Sequence, residues 1–318
     1  MKRFFERRPE AALACVTLLW GSTFIVTKQL VRSGSPLTAF LYVTMRFGLA
    51  TSILFAIFPG ARRPSRALVR DALVLGFGQG MGLLFQVFGQ VYTSASKSSF
   101  VTALATALTP LIALGLYRER PRARQAAGAV LATLGVLLLT WPGADAEWNR
   151  GDLYSAACAL IYAFVIVETA RRAPRHDVGV LTTLQTATCA MLFALGLGLT
   201  HLGLAIVPPD RLPDVFLLEA RPLHFDARQI ALLLYMAIVC TVLSFLGQTW
   251  AMRRLSATHA AVVFALEPVF ATGLAIAVEG GTEWPGALGA FGALLVLGGL
   301  LVSELESTPR STNDGAAG

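Results

Sequence analysis

Charge is what this chain has least of. Asp, Glu, Lys and Arg make up 14% of its 318 residues, with only three lysines (Lys2, Lys28, Lys97), four histidines and four cysteines. So little charge beside 55% hydrophobic residues and a mean hydropathy of +0.63 excludes an ordinary water-soluble domain, whose core could not hide that much apolar surface. The lysine shortage excludes a phosphate-binding loop: the run Gly76, Gly78, Gly80, Gly82 is glycine-rich, but no Lys follows a Gly. ATP-driven pumping by this chain alone is therefore excluded, and the run reads as packing or a hinge. His176, His201, His224 and His259 fall at the ends of apolar segments or between them, which argues against the buried Ser/His chemistry of a membrane-embedded protease. Cys15, Cys158, Cys189 and Cys240 lie inside apolar segments without metal-ligand spacing and read as small buried side chains. No catalytic residue, metal or cofactor is expected.

What the chain does have is long apolar runs. Windows of about 20 residues, the length that crosses a hydrocarbon core, give ten spans. They cover 11–31, 37–58, 72–92, 99–117, 125–141, 153–169, 179–200, 230–251, 258–278 and 285–303. Lys and Arg near span ends fix the orientation, because they are retained on the cytoplasmic side. With both termini inside, 18 of them lie in inner segments against seven outside, and Arg46 stays within a span. This distribution accounts for the net charge of +7 through a basic face on anionic lipid, so no nucleic-acid partner is expected. Arg7 and Arg8 before an apolar run mimic a signal peptide, but the run is long and has no cleavage pattern, so span one is expected to stay attached.

The chain also repeats itself. Ser94-Ala95, Thr109-Pro110, Glu119 and Gly128 to Gly135 are echoed by Ser256-Ala257, Glu267-Pro268, Glu283 and Gly292 to Gly299, and Arg46 by Gln185. Pro110 lies 16 residues after Ser94 and Pro268 only 12 after Ser256, which predicts breaks at unequal depths in the two halves. Five spans per half is an odd number, so similar halves enter the membrane from opposite sides. The expected fold is an all-α integral membrane protein with ten transmembrane helices as two inverted five-helix repeats. Residues 11–141 and 153–303 form the repeats, 201–228 an outer loop, and 1–10 and 304–318 cytoplasmic tails. Such repeats place a site between the halves near the midplane.

The motifs Trp20-Gly21-Ser22-Thr23-Phe24, Arg46-Phe47, Thr93-Ser94-Ala95-Ser96-Lys97-Ser98, Glu119-Arg120 and Leu266-Glu267-Pro268-Val269 make the chain resemble the drug/metabolite transporter superfamily, in its EamA group. The resemblance runs over about 11–303. It implies ten spans in two repeats and export of small metabolites, often amino acids. A departure is Thr282-Glu283-Trp284, where a Gly-Glu-Arg-like turn is usual. The expected location is the plasma (inner) membrane of a bacterium.

Helical phase shows which spans have a polar stripe fit to line a cavity. The stripes are Trp20, Thr23, Thr27; Thr38, Tyr42, Arg46; Gln79, Gln86, Gln90; Ser98, Thr102, Thr106, Thr109; Tyr154, Cys158, Tyr162; Thr182, Gln185, Cys189; Thr241, Ser244, Gln248; and Glu267 in span nine. Any single Thr is more readily helix glue than a substrate contact; the case rests on eight spans sharing the habit. Trp20, Thr23, Arg46, Gln86, Tyr162, Gln185, Gln248 and Glu267 are the candidate substrate-binding residues. A small solute with charged and polar ends, such as an amino acid, suits that lining. Two readings of Glu267 stay open. It titrates between inward- and outward-facing states and couples export to proton entry, or it is a structural partner for Arg46 or for backbone groups freed by Pro268. Arg46 is either a bidentate fork for a substrate carboxylate or a structural pair. Glu168, near a span end, is read as snorkelling. Spans five and ten have no polar stripe but carry Gly128, Ala132, Gly135 and Gly289, Gly292, Gly299, so they are expected outside the cavity as packing elements or as the contact of a homodimer. A membrane-embedded scaffold or enzyme is the alternative; a scaffold needs no polar stripes.

Overall fold

Helices Pro9–Leu30 (α1), Ala39–Ile57 (α2), Arg66–Tyr92 (α3), Ala105–Tyr117 (α4), Ala123–Leu139 (α5), Arg150–Arg172 (α6) and Val178–Ile206 (α7) succeed one another. Then come Ala227–Met252 (α8), Ala257–Phe264 (α9), Leu266–Glu279 (α10) and Gly286–Glu304 (α11). This computed structural model describes residues 8–30, 39–92, 98, 101–141, 149–208, 211, 226–279 and 284–304. Thr38, Ser94 and the rest of 93–97, Glu283, most of the outer loop and most of both tails lie outside the described residues. There is no strand among the described residues. Among the described residues seven segments are long and apolar enough to cross a membrane, α9 and α10 together making one of them, while α4 and α5 are shorter apolar helices.

Local chemistry sets several helix ends. Asn149 and Asp152 close a capping box on α6, Asp226 and Gln229 close another on α8, and the Ser256 hydroxyl accepts the His259 amide at the start of α9. Inside α8 the chain widens into a π-helical turn, Ile238–Leu243. Thr241 and Ser244 donate there to carbonyls five residues back, Met236 and Val239, so the wider turn leaves those acceptors satisfied.

The outside of the bundle is apolar and its inside is partly polar, as expected where lipid is the solvent. Leu134, Leu160, Met191, Leu195, Leu294 and Leu301 are exposed, whereas Arg46, Gln79, Thr182, Gln185, Thr241 and Gln248 are buried. The glycine run packs α3 between two neighbours. A Cβ on Gly76 would stand 2.5 Å from the Gln185 carbonyl oxygen and one on Gly80 2.8 Å from Leu192, both on α7. Gly78 and Gly82 face α6 in the same way, through Val165 and Tyr162.

Spans five and ten close on each other. A Cβ on Gly128 would meet the Gly299 carbonyl oxygen, and one on Gly135 that of Gly292, so α5 and α11 cross antiparallel with backbones in contact. The small-residue faces offered for a homodimer are therefore occupied within one chain. What α5 and α11 leave open are larger side chains, among them Val130, Leu134, Leu288 and Phe291.

One end of the bundle is tied by charge. Arg172 pairs with both Glu168 and Asp71, His176 lies 2.8 Å from the other Asp71 oxygen, Tyr117 donates to Glu168, and Arg171 pairs with Glu119. Glu168 does not snorkel: it is only 1% exposed, because Tyr117 and Arg172 hold it inside. The network joins the ends of α3, α4 and α6, about 9–17 Å along those helices from Gln79, Thr106 and Tyr162 at 1.5 Å per residue.

Candidate functional site

Those three residues open onto a cavity of about 170 Å³ at mid-bundle, far more than the roughly 10–15 Å³ that one water needs. α1 supplies Trp20 and Thr23, α2 Arg46 and Phe47, α3 Gln79 and Gln86, and α6 Tyr162. Ser98, Thr102 and Thr106 come from the fourth span, Phe245 and Gln248 from α8, and Phe264, Glu267 and Pro268 from the α9–α10 junction. Seven of the eight candidate residues share this lining.

Gln185 does not. It is buried on α7, its Oε1 lacks a hydrogen-bond partner among the described residues, and its carbonyl oxygen lies against Gly76. The rest of the span-seven stripe is also helix contact: Thr182 bonds to Thr249 at 3.0 Å and the Cys189 thiol to the Gly76 carbonyl at 3.1 Å. Helical phase marked the side of α7 turned from lipid, and that side meets other helices. Tyr154 likewise belongs to an aromatic cluster with Phe85, Phe88 and Tyr92. Conversely α5, expected outside, touches the cavity through the apolar Val136.

The ninth span is broken just before its acid. α9 ends at Phe264, Ala265 forms a turn, and α10 begins at Leu266 with Glu267 in its first turn. The span-four segment breaks the same way: Ala103 and Leu104 form a turn and α4 begins at Ala105. Pro110 sits inside α4 without ending it. The residue placed like Glu267 is thus Thr106, which lines the cavity. Thr109, expected at that place, is buried and bonds to the Ala105 carbonyl of its own helix. Matching the halves by their prolines shifted the comparison by one turn.

Arg46 and Glu267 are not paired with each other. Arg46 Nε donates to Thr241 Oγ1 at 2.7 Å, one terminal nitrogen to the Cys240 carbonyl at 3.0 Å, and the other to Tyr42 Oη at 3.3 Å. The guanidinium therefore clasps the π-helical turn of α8, which carries Phe245 and Gln248 onto the cavity wall. Glu267 has no hydrogen bond or ion pair among the described residues, and neither do the side-chain amides of Gln79, Gln86 and Gln248. A carboxyl and three carboxamides without protein partners there converge on one space, an arrangement that suits a polar solute.

Aromatic rings form the wall beside them. Trp20 stacks on Phe264 with centroids 5.6 Å apart and meets Phe245 edge-on at 6.2 Å; Phe47 meets Phe245 at 5.8 Å. Phe47, Phe245 and Phe264 were not among the candidates. Their signal was position: one residue from Arg46, three before Gln248 and three before Glu267.

The EamA-like transporter family matches this chain twice, over residues 9–141 and 149–305. The chain belongs to that family. Two relatives of this EamA-like chain, both from Archaeoglobus fulgidus, carry the description "uncharacterized transporter". Each is 26% identical, one over 93% of this chain and 85% of its own length, the other over 92% and 95%. A solved structure described only as a crystal structure of protein superposes with a TM-score of 0.71 at 20% identity, covering 93% of this chain and 98% of the other, which is a likeness of fold. With its apolar helices, the EamA-like chain is an integral membrane protein.

Proposed function

We propose that this protein is a secondary transporter that exports small polar metabolites, amino acids or related compounds, across the plasma membrane of a bacterium by alternating access. Ten spans would form two inverted five-helix halves, with both termini in the cytoplasm. The observation that carries the reading is the mid-bundle cavity, where Glu267, Gln79, Gln86 and Gln248 find no partner among the described residues.

Helix pairing supports the inverted halves. α1 packs on α10 as α6 packs on α4, and α3 packs on α6 as α8 packs on α1, so each contact has a counterpart when the halves are exchanged. Gly128 meets Gly299 while Gly135 meets Gly292, the reciprocal pattern of a two-fold axis if Gly128 corresponds to Gly292 and Gly135 to Gly299. Thr106 and Glu267 occupy matching places at the two breaks, so only one half brings an acid. That asymmetry makes Glu267 the group through which proton entry would drive export.

Counterflow in proteoliposomes tests the reading. Vesicles preloaded with a mixture of unlabelled amino acids should accumulate a labelled one transiently, and Glu267→Gln should remove the response to an imposed pH gradient while leaving the protein folded. Flux that never saturates would mark a pore instead, and an unaltered pH response would remove Glu267 from coupling.

A further inference from the structure

Lining the cavity are two ionisable groups of opposite sign, and the protein treats them differently. Arg46 engages a donor from each of its three nitrogens with a neutral acceptor, is 6% exposed, and has its guanidinium 5.5 Å from the Phe47 ring centroid. Its charge is already solvated by a carbonyl and two hydroxyls. Glu267 has no donor among the described residues, although it stands at the lip of a helix break and lines the same cavity as Gln248 and Gln86. A carboxylate held away from water needs either a proton or a cation.

The wall next to Glu267 is the kind a cation favours. Phe264 is three residues before it and stacks on Trp20, and Tyr162 completes the lining from α6. Trp, Tyr and Phe faces attract an ammonium group through the ring quadrupole, most strongly where water is excluded. Among the described residues, lysine is absent from the lining.

From this we infer that the site reads the ammonium end of its solute: a protonated amine ion-pairs with Glu267 while the solute's apolar body lies on the Trp20–Phe264 stack, and a carboxylate on the solute is dispensable. The inference rests on the transport reading for its purpose but not for its test. It makes amines lacking a carboxyl group, and amino-acid esters, ligands of the same site.

Equilibrium dialysis of the purified full-length protein in detergent near neutral pH decides it, with three labelled probes of one shape: phenethylamine, phenylalanine and 3-phenylpropionate. Phenethylamine should bind at least as tightly as phenylalanine, and 3-phenylpropionate about ten-fold or more weakly, the value of one charge-assisted hydrogen bond. Glu267→Gln should weaken phenethylamine by about ten- to 100-fold and should not weaken 3-phenylpropionate, whose repulsion from the carboxylate it removes; Glu267→Asp, which keeps the charge, should preserve the order of the three and guards against a folding defect in the amide variant. Three results overturn the inference: 3-phenylpropionate binding as tightly as the amine, phenylalanine binding ten-fold tighter than the amine, which would assign recognition to Arg46, or an amine affinity indifferent to Glu267→Gln. Absence of phenethylamine binding at millimolar concentration overturns it as well. The expected order without counterflow in vesicles leaves ammonium recognition standing and removes transport; counterflow of solutes through an anion-preferring site does the reverse.

Discussion

Gly128 and Gly299 stand backbone to backbone: a Cβ on the first would lie 2.5 Å from the carbonyl oxygen of the second, and the reciprocal distance is 2.6 Å. Every atom a Cβ on Gly299 would meet is main chain, which cannot turn aside. Gly299→Leu should therefore force α5 and α11 apart and lower stability by about 1–3 kcal/mol, the usual cost of overpacking. Gly298→Ala is the control, because a Cβ there meets nothing within 4 Å. Thermal unfolding in detergent together with light scattering checks this. A change of oligomeric state without loss of stability would return these glycines to a dimer contact.

Asp71 is held between Arg172 and His176 at the charged end of the bundle. Arg172 keeps Glu168 when Asp71 is removed, so Asp71→Ala loses hydrogen bonds to charged groups without stranding a charge and should cost about 1–3 kcal/mol. The Asp71→Ala, Arg172→Ala double variant should lose less than the sum of the two single variants, because the charges are coupled. Denaturant unfolding of the four proteins measures the coupling; strict additivity would reduce the network to independent surface contacts.

Gly82 leaves room for Tyr162. A Cβ at Gly82 would lie 2.4 Å from Tyr162 Cε1, so Gly82→Ala should push the ring into the cavity. Solute affinity is expected to fall roughly ten-fold, with a stability loss of about 1–3 kcal/mol. In Gly80→Ala the new Cβ meets the far end of Leu192, which can turn away, and affinity should hold. Equal losses in the two variants would mean that α3 packing as a whole, and not the ring position, governs the cavity.

Sequence carried the class of this fold and most of the cavity, and its failures have a common cause. Composition reports whether a side chain faces lipid, and helical phase reports which side is turned away. Neither separates a helix contact from a cavity wall, so Gln185, Thr182 and Cys189 read like Gln86 and Gln248 although they lie against other helices. Apolar walls were invisible for the complementary reason: Phe245 and Phe264 look the same in a lipid-facing run as beside Glu267. The one-turn error at Thr109 came from treating Pro110 as the break. A proline removes one donor from a helix without fixing where the chain turns, and in the fourth span the turn lies earlier, at Ala103 and Leu104. Arg46 was legible as an intramembrane charge, and Tyr42 shares its stripe, but its other two partners are a hydroxyl and a carbonyl some 195 residues away, which no local pattern encodes.

That clasp supports the last prediction. Arg46 reaches Thr241 and the Cys240 carbonyl on the stretch of α8 that is π-helical, and the Thr241 hydroxyl donates in turn to the Met236 carbonyl. A π turn is a rare local departure from the α-helix, so loss of the contacts that hold it should return the segment to α-helix. Reversion would rotate the segment Ser244–Met252 by a fraction of a turn and carry Phe245 and Gln248 off the cavity wall. Thr241→Val keeps the shape but loses both the acceptor for Arg46 and the donor to Met236. It should cost about 1.5–3 kcal/mol, as for a hydrogen bond to a charged group, and weaken solute binding as Gln248→Ala does. Arg46→Lys, with a point charge in place of a planar fork, should reproduce much of the defect. Unfolding midpoints and dialysis on the three variants separate the outcomes. Binding lost in Gln248→Ala but retained in Thr241→Val and Arg46→Lys would show that the turn holds its register without the clasp.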